Sequence, residues 1–129
     1  MIDQDPDFHY LVIGDGRDVP AIAGMLTRLP DTAYGQVFIE VEATVQVRHL
    51  DAPEGLVVTW LVRAGTDAPE GGLAVRAGTG WVEEWLPEDS TGHHAHYALW
   101  IGCCANDAMD ELCRVIGARL GDVHIHHGH

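Results

Sequence analysis

The sequence predicts an α/β fold, in which an open, mostly parallel sheet of five strands has helices on both faces. Short, continuous apolar runs bounded by Gly and Pro alternate with segments of helical periodicity. Such runs are typical of strands that are buried on both faces of a parallel sheet. A chain of 129 residues with 47% apolar residues is sufficient for one core, so we expect a single domain over residues 1–129.

The first half of the chain predicts three strands and one helix. Residues 10–14 form an apolar run that ends in Gly and predicts the first strand. Asp18 is the expected N-cap of the helix, which has Pro20 in its first turn and Pro30 beyond its end. The apolar face of this helix comprises Ile22, Met25, Leu26 and Leu29. The next two strands are expected at residues 36–41 and 56–62, with at most one short strand at residues 43–54 between them.

The second half predicts two further helices and two further strands. Five glycines between residues 64 and 80 predict a loop, which leads to a short helix at residues 81–86. The last helix has Asn106 as its expected N-cap and Gly121 after its end. The fourth and fifth strands are expected at residues 97–101 and 123–126.

Charge and composition exclude several classes of function. All seven basic residues are Arg, so the chain has no Lys for a Schiff base or a P-loop. The net charge of −13 disfavours nucleic acid and anionic membranes, since both bind cationic patches. We therefore expect neither of them as a partner.

The compartment is predicted from the N-terminus and the cysteines. Residues 1–7 contain three Asp and no apolar run, which disfavours a secretory signal, and no stretch has the ~18 apolar residues of a membrane helix. The three cysteines are odd in number and two of them are adjacent, which is a poor disulfide framework. We expect a cytoplasmic protein.

Two segments that follow predicted strands are candidates for an anion-binding site. If the first and fourth strands are neighbours, residues 14–18 and 102–106 face each other where the strand order reverses, and each leads into a helix N-terminus. The candidate ligand-binding residues of these segments are Gly14, Asp15, Gly16, Arg17, Pro20, Gly102, Cys103 and Cys104. The third glycine of a dinucleotide fingerprint would fall at Val19, so the ordinary motif is absent. The alternative is a tight turn that requires Gly for its backbone angles.

Several short motifs resemble the C-terminal domain of siderophore-interacting proteins. In that family the first strand runs into Gly-Asp-Glu-Thr-Ala-Leu-Pro-Ala-Ile, and residues 14, 15 and 20–22 match this pattern in register. The similarity continues through residues 29–30, 38–41, 58–63 and 100–101, and so covers nearly the whole chain.

The resemblance implies a fold, a cofactor and three binding roles. The family belongs to the ferredoxin-reductase group of flavoproteins, which reduce ferric siderophores with NAD(P)H or ferredoxin, and the similar domain is the Rossmann-like half that binds the nicotinamide nucleotide. The turn from Gly14 to Pro20 would then lie against the pyrophosphate, Arg63 would bind the adenosine phosphate and Glu40 would lie at the ribose end. The alternatives are a solvent-exposed loop arginine at position 63 and a solvated residue near a strand end at position 40.

The chain also departs from the family pattern. Gly16 and Arg17 replace Glu-Thr, which removes a hydroxyl donor and adds a cation. Cys103 and Cys104 replace Gly-Glu after the fourth strand; a helix N-terminus there would favour a thiolate, whereas a buried Cys would be structural. Four C-terminal histidines replace an aromatic and basic ending: His124, His126, His127 and His129. They are the candidates for a metal site, although a solvated terminus is the favoured interpretation and no metal is expected.

Two hypotheses of function follow from the resemblance. In the first, the chain is a stand-alone NAD(P)H-binding domain that completes a ferric-siderophore reductase with a separate flavin-domain protein as its partner. No flavin-binding barrel, and so no flavin, is expected in this chain. In the second, the chain is a non-catalytic binding or interaction module that kept the fold and lost hydride chemistry. The replacement of Glu-Thr and the charge of −13 favour the second hypothesis.

Overall fold

A parallel sheet forms the centre of the molecule. The computed structural model describes residues 8–85, 96–102, 107–120 and 125–127. The four longer strands are β1 (Phe8–Asp15), β2 (Tyr34–Val41), β3 (Gly55–Val62) and β4 (His96–Ile101), and they lie in the order β3-β2-β1-β4. A three-residue segment, β5 (Ile125–His127), pairs in parallel with the end of β4. All of the strand pairs are parallel.

Helices cover both faces of this sheet. They are α1 (Val19–Leu26), α2 (Gly72–Trp85) and α3 (Asp107–Leu120). Alternate residues of β1 contribute to two core layers: Val12 packs in the layer that contains α1, while Leu11 and Ile13 pack in the layer that contains α2 and α3. The predicted α/β fold, with a parallel sheet flanked by helices, is confirmed.

Helix α2 corrects the prediction of a loop over residues 64–80. It begins at Gly72, well before the predicted start at residue 81. Its buried residues, Ala74, Gly78, Trp81 and Val82, recur at helical spacing. A Cβ on Gly78 would lie 2.5 Å from Leu112 Cδ2 and 3.0 Å from Ile13 Cδ1. Gly78 therefore allows α2 to pack closely against α3 and β1, whereas the sequence pattern suggested that the glycines belong to a loop.

Other differences from the predicted elements are smaller. The segment between β2 and β3 contains a 3-10 turn at Thr44–Gln46 and otherwise has no regular structure. The expected N-cap of the last helix, Asn106, and its expected end at Gly121 lie outside the described residues. Among the helices that the structure describes, none is both long and apolar enough to cross a lipid bilayer.

His9 lies in an aromatic cluster near the amino ends of the strands. Its side chain is buried, and its ring centroid lies 5.0 Å from that of Tyr34, 5.5 Å from that of Trp81 and 4.4 Å from that of Trp85. Burial lowers the pKa of His9 below its ordinary value of 6.5, because the imidazolium is poorly solvated among these rings. The neutral imidazole is therefore the form that the fold accommodates.

The pH dependence of stability should reveal this burial. Because the pKa of His9 is lower in the folded than in the unfolded protein, the unfolded protein binds the proton first as the pH falls below about 6.5. We expect the free energy of unfolding to fall over this interval, down to the folded-state pKa, and His9→Phe to remove that part of the decline. Urea denaturation of both proteins between pH 7.5 and pH 5 measures the difference. Parallel pH profiles for the two proteins would contradict this assignment.

Two glycines should respond in opposite directions to substitution by Ala. Gly35 has φ +144°, and a Cβ there would collide with the backbone of Tyr10 on β1, so Gly35→Ala should destabilise the fold by about 3 kcal/mol or more. Gly80 lies on the exposed side of α2, and no atom lies within 4 Å of the position that a Cβ would take, so Gly80→Ala should stabilise the fold by about 1 kcal/mol. Urea denaturation curves measure both changes. Equal effects of the two substitutions would refute the packing described for β1 and β2.

Candidate functional site

The reversal of strand order lies between β1 and β4, which is the arrangement that the predicted anion-binding site requires. These two strands pair in parallel, and the Gly102 N–H donates to the Ile13 carbonyl at 2.8 Å just beyond the last paired residues. From β1 the chain proceeds outward through β2 and β3, then returns to the other side with β4. Cys103 and Cys104, which follow Gly102, lie outside the described residues.

The turn after β1 is closed by two carboxylates. Asp15 Oδ1 accepts the Arg17 backbone N–H at 2.9 Å, and Asp18 Oδ2 accepts the Asp15 N–H at 2.9 Å. These bonds cap a 3-10 turn over Gly16–Asp18. Asp18 occupies the N-cap position of α1, as the sequence predicts, but its side chain does not cap the helix. Its carboxylate instead accepts the N–H of Asp15, three residues earlier, because a 3-10 turn precedes the helix.

Glycine at positions 14 and 102 makes room for Asp18. The Asp18 side chain is buried, and a Cβ on Gly14 would lie 3.0 Å from its Cβ and its Oδ2. A Cβ on Gly102 would collide with the same carboxylate. Neither glycine is among the described residues with positive φ, so the turn requires Gly for space rather than for backbone angles.

A cleft opens at the carboxyl ends of β1, β2 and β3. Its volume is about 320 Å³. Five residues that the sequence predicts as binding residues line it: Asp15, Gly16, Arg17, Glu40 and Arg63. Gly14 and Gly102 are buried beside Asp18, while Pro20 is exposed in the first turn of α1, and these three do not line the cleft. Five of the predicted residues thus line the cleft, and Gly14 and Gly102 pack against the Asp18 side chain of the adjoining turn.

Glu40 is buried at the end of β2 and binds the start of α2. Its carboxylate accepts the Gly71 N–H at 2.6 Å through Oε2 and the Ala74 N–H at 2.9 Å through Oε1. It therefore satisfies two amides at a helix N-terminus, where a negative charge is also favoured. The alternative of a solvated Glu40 is wrong, because the residue is 2% exposed. Its contact with a ribose stays a prediction.

Arg63 forms an ion pair with Glu40 directly after β3. Arg63 Nε lies 3.0 Å from Glu40 Oε2, and the Arg63 side chain is 26% exposed, so the alternative of a freely solvated loop arginine is wrong. Its terminal nitrogens, Nη1 and Nη2, have no ion-pair partner among the described residues. The sequence named both residues as candidates, but nothing in it indicated that they pair.

The match to a family model decides the relationship. Residues 8–121 match the model described as siderophore-interacting protein. The chain belongs to the siderophore-interacting protein family. The predicted similarity to the C-terminal domain of this family is confirmed.

Several proteins are similar to this siderophore-interacting protein domain. An uncharacterized protein of Mycobacterium tuberculosis strain H37Rv is 37% identical over 93 residues, which are 72% of this chain and 27% of that protein. Ferric vibriobactin reductase ViuB of Vibrio cholerae is 37% identical over 59 residues, which are 46% of this chain and 22% of that protein. The chain therefore spans only part of the length of these relatives.

Solved structures agree with the fold. The crystal structure of a siderophore utilization protein from T. fusca superposes with a TM-score of 0.69 at 29% identity, over 98% of this chain and 45% of that one. The siderophore-interacting protein SipS from Aeromonas hydrophila superposes with a TM-score of 0.58 at 22% identity, over 98% and 54% of the two chains. The second likeness concerns the fold alone.

Carboxylates outnumber guanidinium groups in the cleft of this family member. Its charged lining residues are Asp15, Glu40, Glu42, Glu70, Arg17 and Arg63. Arg17 lies 3.0 Å from the Asp15 carboxylate and 3.9 Å from that of Glu70, so its charge is already balanced. Sequence analysis missed Glu42, Gln46 and Glu70, since loop residues have no periodicity that would assign them to a site.

The carboxylates of the cleft do not form a metal site among the described residues. Within the described ranges, no group of three His, Cys, Asp or Glu side chains is arranged to hold a metal ion. His124 and His129, and the side chains of His126 and His127, lie outside what the structure describes. The histidine tail therefore stays a sequence-based candidate.

Asp15 should stabilise the turn only while it is ionised. Burial raises the pKa of Asp15, but hydrogen bonds and charge from Arg17 outweigh burial and hold it below its ordinary value of 3.8. The contribution is therefore complete above about pH 4 and is lost as the pH falls through the lower, folded-state pKa. We expect Asp15→Ala to reduce the free energy of unfolding by about 1 kcal/mol at pH 7 and by less in acid. Denaturation curves at pH 7 and pH 3 measure this, and a difference that grows in acid would refute it.

Proposed function

We propose that this chain is the NAD(P)H-binding part of a ferric-siderophore reductase. The observation that carries the proposal is Arg63, which lines a cleft at the carboxyl ends of parallel strands and whose terminal nitrogens have no ion-pair partner among the described residues. Membership of the siderophore-interacting protein family and the similarity to a ferric vibriobactin reductase support it. Open α/β sheets bind ligands outside the carboxyl ends of their strands, and this cleft lies there, on the β2 and β3 side of the switch point.

The cleft fits the adenosine-phosphate end of the nucleotide. A volume of about 320 Å³ is at the small end of ligand sites, which suits part of a dinucleotide rather than all of it. A guanidinium presents a planar pair of donors that matches phosphate oxygens. The amides of Asp15 and Arg17 already donate to carboxylates, so in this proposal the Arg17 side chain, rather than these amides, lies against the diphosphate.

The reaction requires a second redox group. NAD(P)H, when bound, supplies a hydride, and a flavin is the usual intermediary between this two-electron donor and Fe³⁺, which accepts one electron. In the proposal the flavin belongs to a separate flavin-domain partner, and the present chain binds and orients the nucleotide against it. Arg63 binds phosphate, Arg17 lines the entrance beside Asp15, and Asp18 with Gly14 and Gly102 supports the turn.

A non-catalytic binding module is the second candidate function. The excess of carboxylates in the cleft favours it, because Asp15 and Glu70 already balance Arg17, and Glu42 adds a further negative charge. A dinucleotide with two or more phosphates is repelled by such a lining unless Arg63 outweighs it. The two candidates therefore differ in a measurable affinity.

Titration with NADPH distinguishes the two candidates. We expect saturable binding by isothermal titration calorimetry, and an increase of the Kd by ~10-fold or more in Arg63→Met, since a charge-assisted phosphate contact is lost. Arg28→Met removes the same charge from an exposed residue that does not line the cleft, and it should change the Kd by less than about 2-fold. The absence of saturable binding below millimolar NADPH would exclude the reductase and leave the binding module.

A further inference from the structure

We infer that Glu40 is a positioning residue that orients Arg63 toward a phosphomonoester, and that the cleft consequently prefers NADPH to NADH. The inference rests on the proposed function and deepens it. Its basis is the set of contacts made by one buried carboxylate at the end of β2.

The position of Glu40 in the sequence alone would suggest the opposite preference. An acidic residue near the end of the second strand of a dinucleotide-binding fold ordinarily bonds to the ribose hydroxyls of NAD, which favours the nucleotide without the 2′-phosphate. In this protein both oxygens of the Glu40 carboxylate already accept backbone N–H groups, from Gly71 and Ala74. The carboxylate is 2% exposed, so a ribose would have to displace the start of α2 to reach it.

The same carboxylate determines how Arg63 is presented. Glu40 Oε2 is held by the Gly71 amide at 2.6 Å, and it binds Nε of Arg63 at 3.0 Å. The Nε edge of the guanidinium thereby lies against a buried carboxylate whose position the two amides fix. The side chain remains 26% exposed, and the terminal nitrogens are the part left for a ligand in the cleft.

A phosphomonoester is the group that best matches the terminal nitrogens of Arg63 when its Nε edge lies against Glu40. It has a charge near −2 at neutral pH and three oxygens that accept hydrogen bonds, so it binds a planar guanidinium through parallel contacts. A ribose hydroxyl offers no charge, and the phosphodiester oxygens of a dinucleotide offer less charge per phosphate. NADPH differs from NADH by one phosphomonoester on the adenosine ribose.

The remaining charges of the cleft sharpen the preference. Glu42 and Glu70 are exposed carboxylates in the lining, and their charge disfavours anions in the cleft except beside a guanidinium; Arg17 is already paired with Asp15 and Glu70, so Arg63 provides the stronger attraction. Attraction therefore depends on one correctly oriented guanidinium rather than on the general potential of the cleft. The effect of Glu40 on the orientation of Arg63 can therefore be distinguished from the effect of its negative charge on the cleft.

Two substitutions that remove the same charge should have opposite effects. Glu40→Gln and Glu42→Gln each delete one negative charge from the cleft lining. If only charge mattered, both would raise the affinity for NADPH. If Glu40 orients Arg63, Glu40→Gln should lower that affinity, because an amide presents either a neutral oxygen or an opposing N–H to Nε.

Calorimetric titration of NADPH and NADH against the three proteins tests this. We expect the wild type to bind NADPH ~10-fold more tightly than NADH, and Glu40→Gln to lose most of that ratio through weaker NADPH binding. Glu42→Gln should strengthen the binding of both nucleotides by less than about 3-fold and leave the ratio unchanged. A wild-type ratio near one would overturn the inference while the proposed function stands. An unchanged ratio in Glu40→Gln would also overturn it, and no binding of either nucleotide would overturn both.

A measurement on the wild type covers the case in which Glu40→Gln does not fold. The Nε–H of Arg63 can be observed by NMR in uniformly ¹⁵N-labelled protein. We expect the ¹⁵N–¹H NOE of this group to show restricted motion in the absence of nucleotide, because the ion pair with Glu40 limits the guanidinium, and the Arg63 side-chain resonances to shift on addition of NADPH and less on addition of NADH. A freely mobile Nε–H, or equal shifts with both nucleotides, would overturn the positioning role.

Discussion

The buried carboxylate of Glu40 is the interaction on which the other features of the site depend. It is almost inaccessible to water, and a charge in that position is stable only when its oxygens are fully hydrogen-bonded. Two amides at the start of α2 donate hydrogen bonds to its two oxygens, and the Arg63 guanidinium balances its charge in an ion pair. One side chain thereby connects the end of β2, the start of α2 and the residue that follows β3. The cleft has a defined shape because these three segments converge on one point.

This interaction also accounts for the helix in a glycine-rich segment. Glycine costs a helix about 1 kcal/mol relative to Ala, and α2 contains three glycines. The charged cap supplied by Glu40 favours a helix start at this position, and the space left by Gly78 brings α2 close to Ile13 and Leu112. The φ of +85° at Gly71 is readily adopted only by glycine, and it places the first amide on the carboxylate. Packing and capping together outweigh weak helix propensity.

Sequence periodicity predicted the elements whose signals are local. The apolar run of β1 and the spacing of Ile22, Met25 and Leu26 along α1 are such signals, and the structure agrees with them. Helix α1 ends at Leu26, so Leu29, which was predicted on the same helical face, lies beyond it. The pairing of β1 with β4 is a tertiary feature that the sequence did not specify. The first part of α2 was missed, and only its end was predicted, because its N-terminal amides bond to a residue 31 to 34 positions earlier in the chain, which no local window detects. The bond from Asp15 to Asp18 spans only three residues, but Asp18 also stands where an N-cap of α1 is expected, and the sequence pattern does not distinguish these two roles.

The sequence predicted several residues of the candidate site but not how they contact one another. Resemblance to the family named Glu40 and Arg63 separately, and the structure shows that one holds the other. A pairing between the ends of two adjacent strands is a tertiary fact, and the amino-acid sequence contains no spacing that specifies it. The acidic lining from Glu42 and Glu70 was not predicted either, because the net charge of −13 does not specify where the carboxylates lie.

Amide hydrogen exchange at Gly71 and Ala74 tests the central role of Glu40 most directly. Both amides donate to a buried carboxylate, so their exchange requires the start of α2 to separate from β2. We predict strong protection of both in ¹⁵N-labelled wild-type protein, and a selective loss of protection at these two positions in Glu40→Gln while the amides of α3 are unaffected. Exchange in the wild type as fast as that of an exposed loop amide would contradict the account.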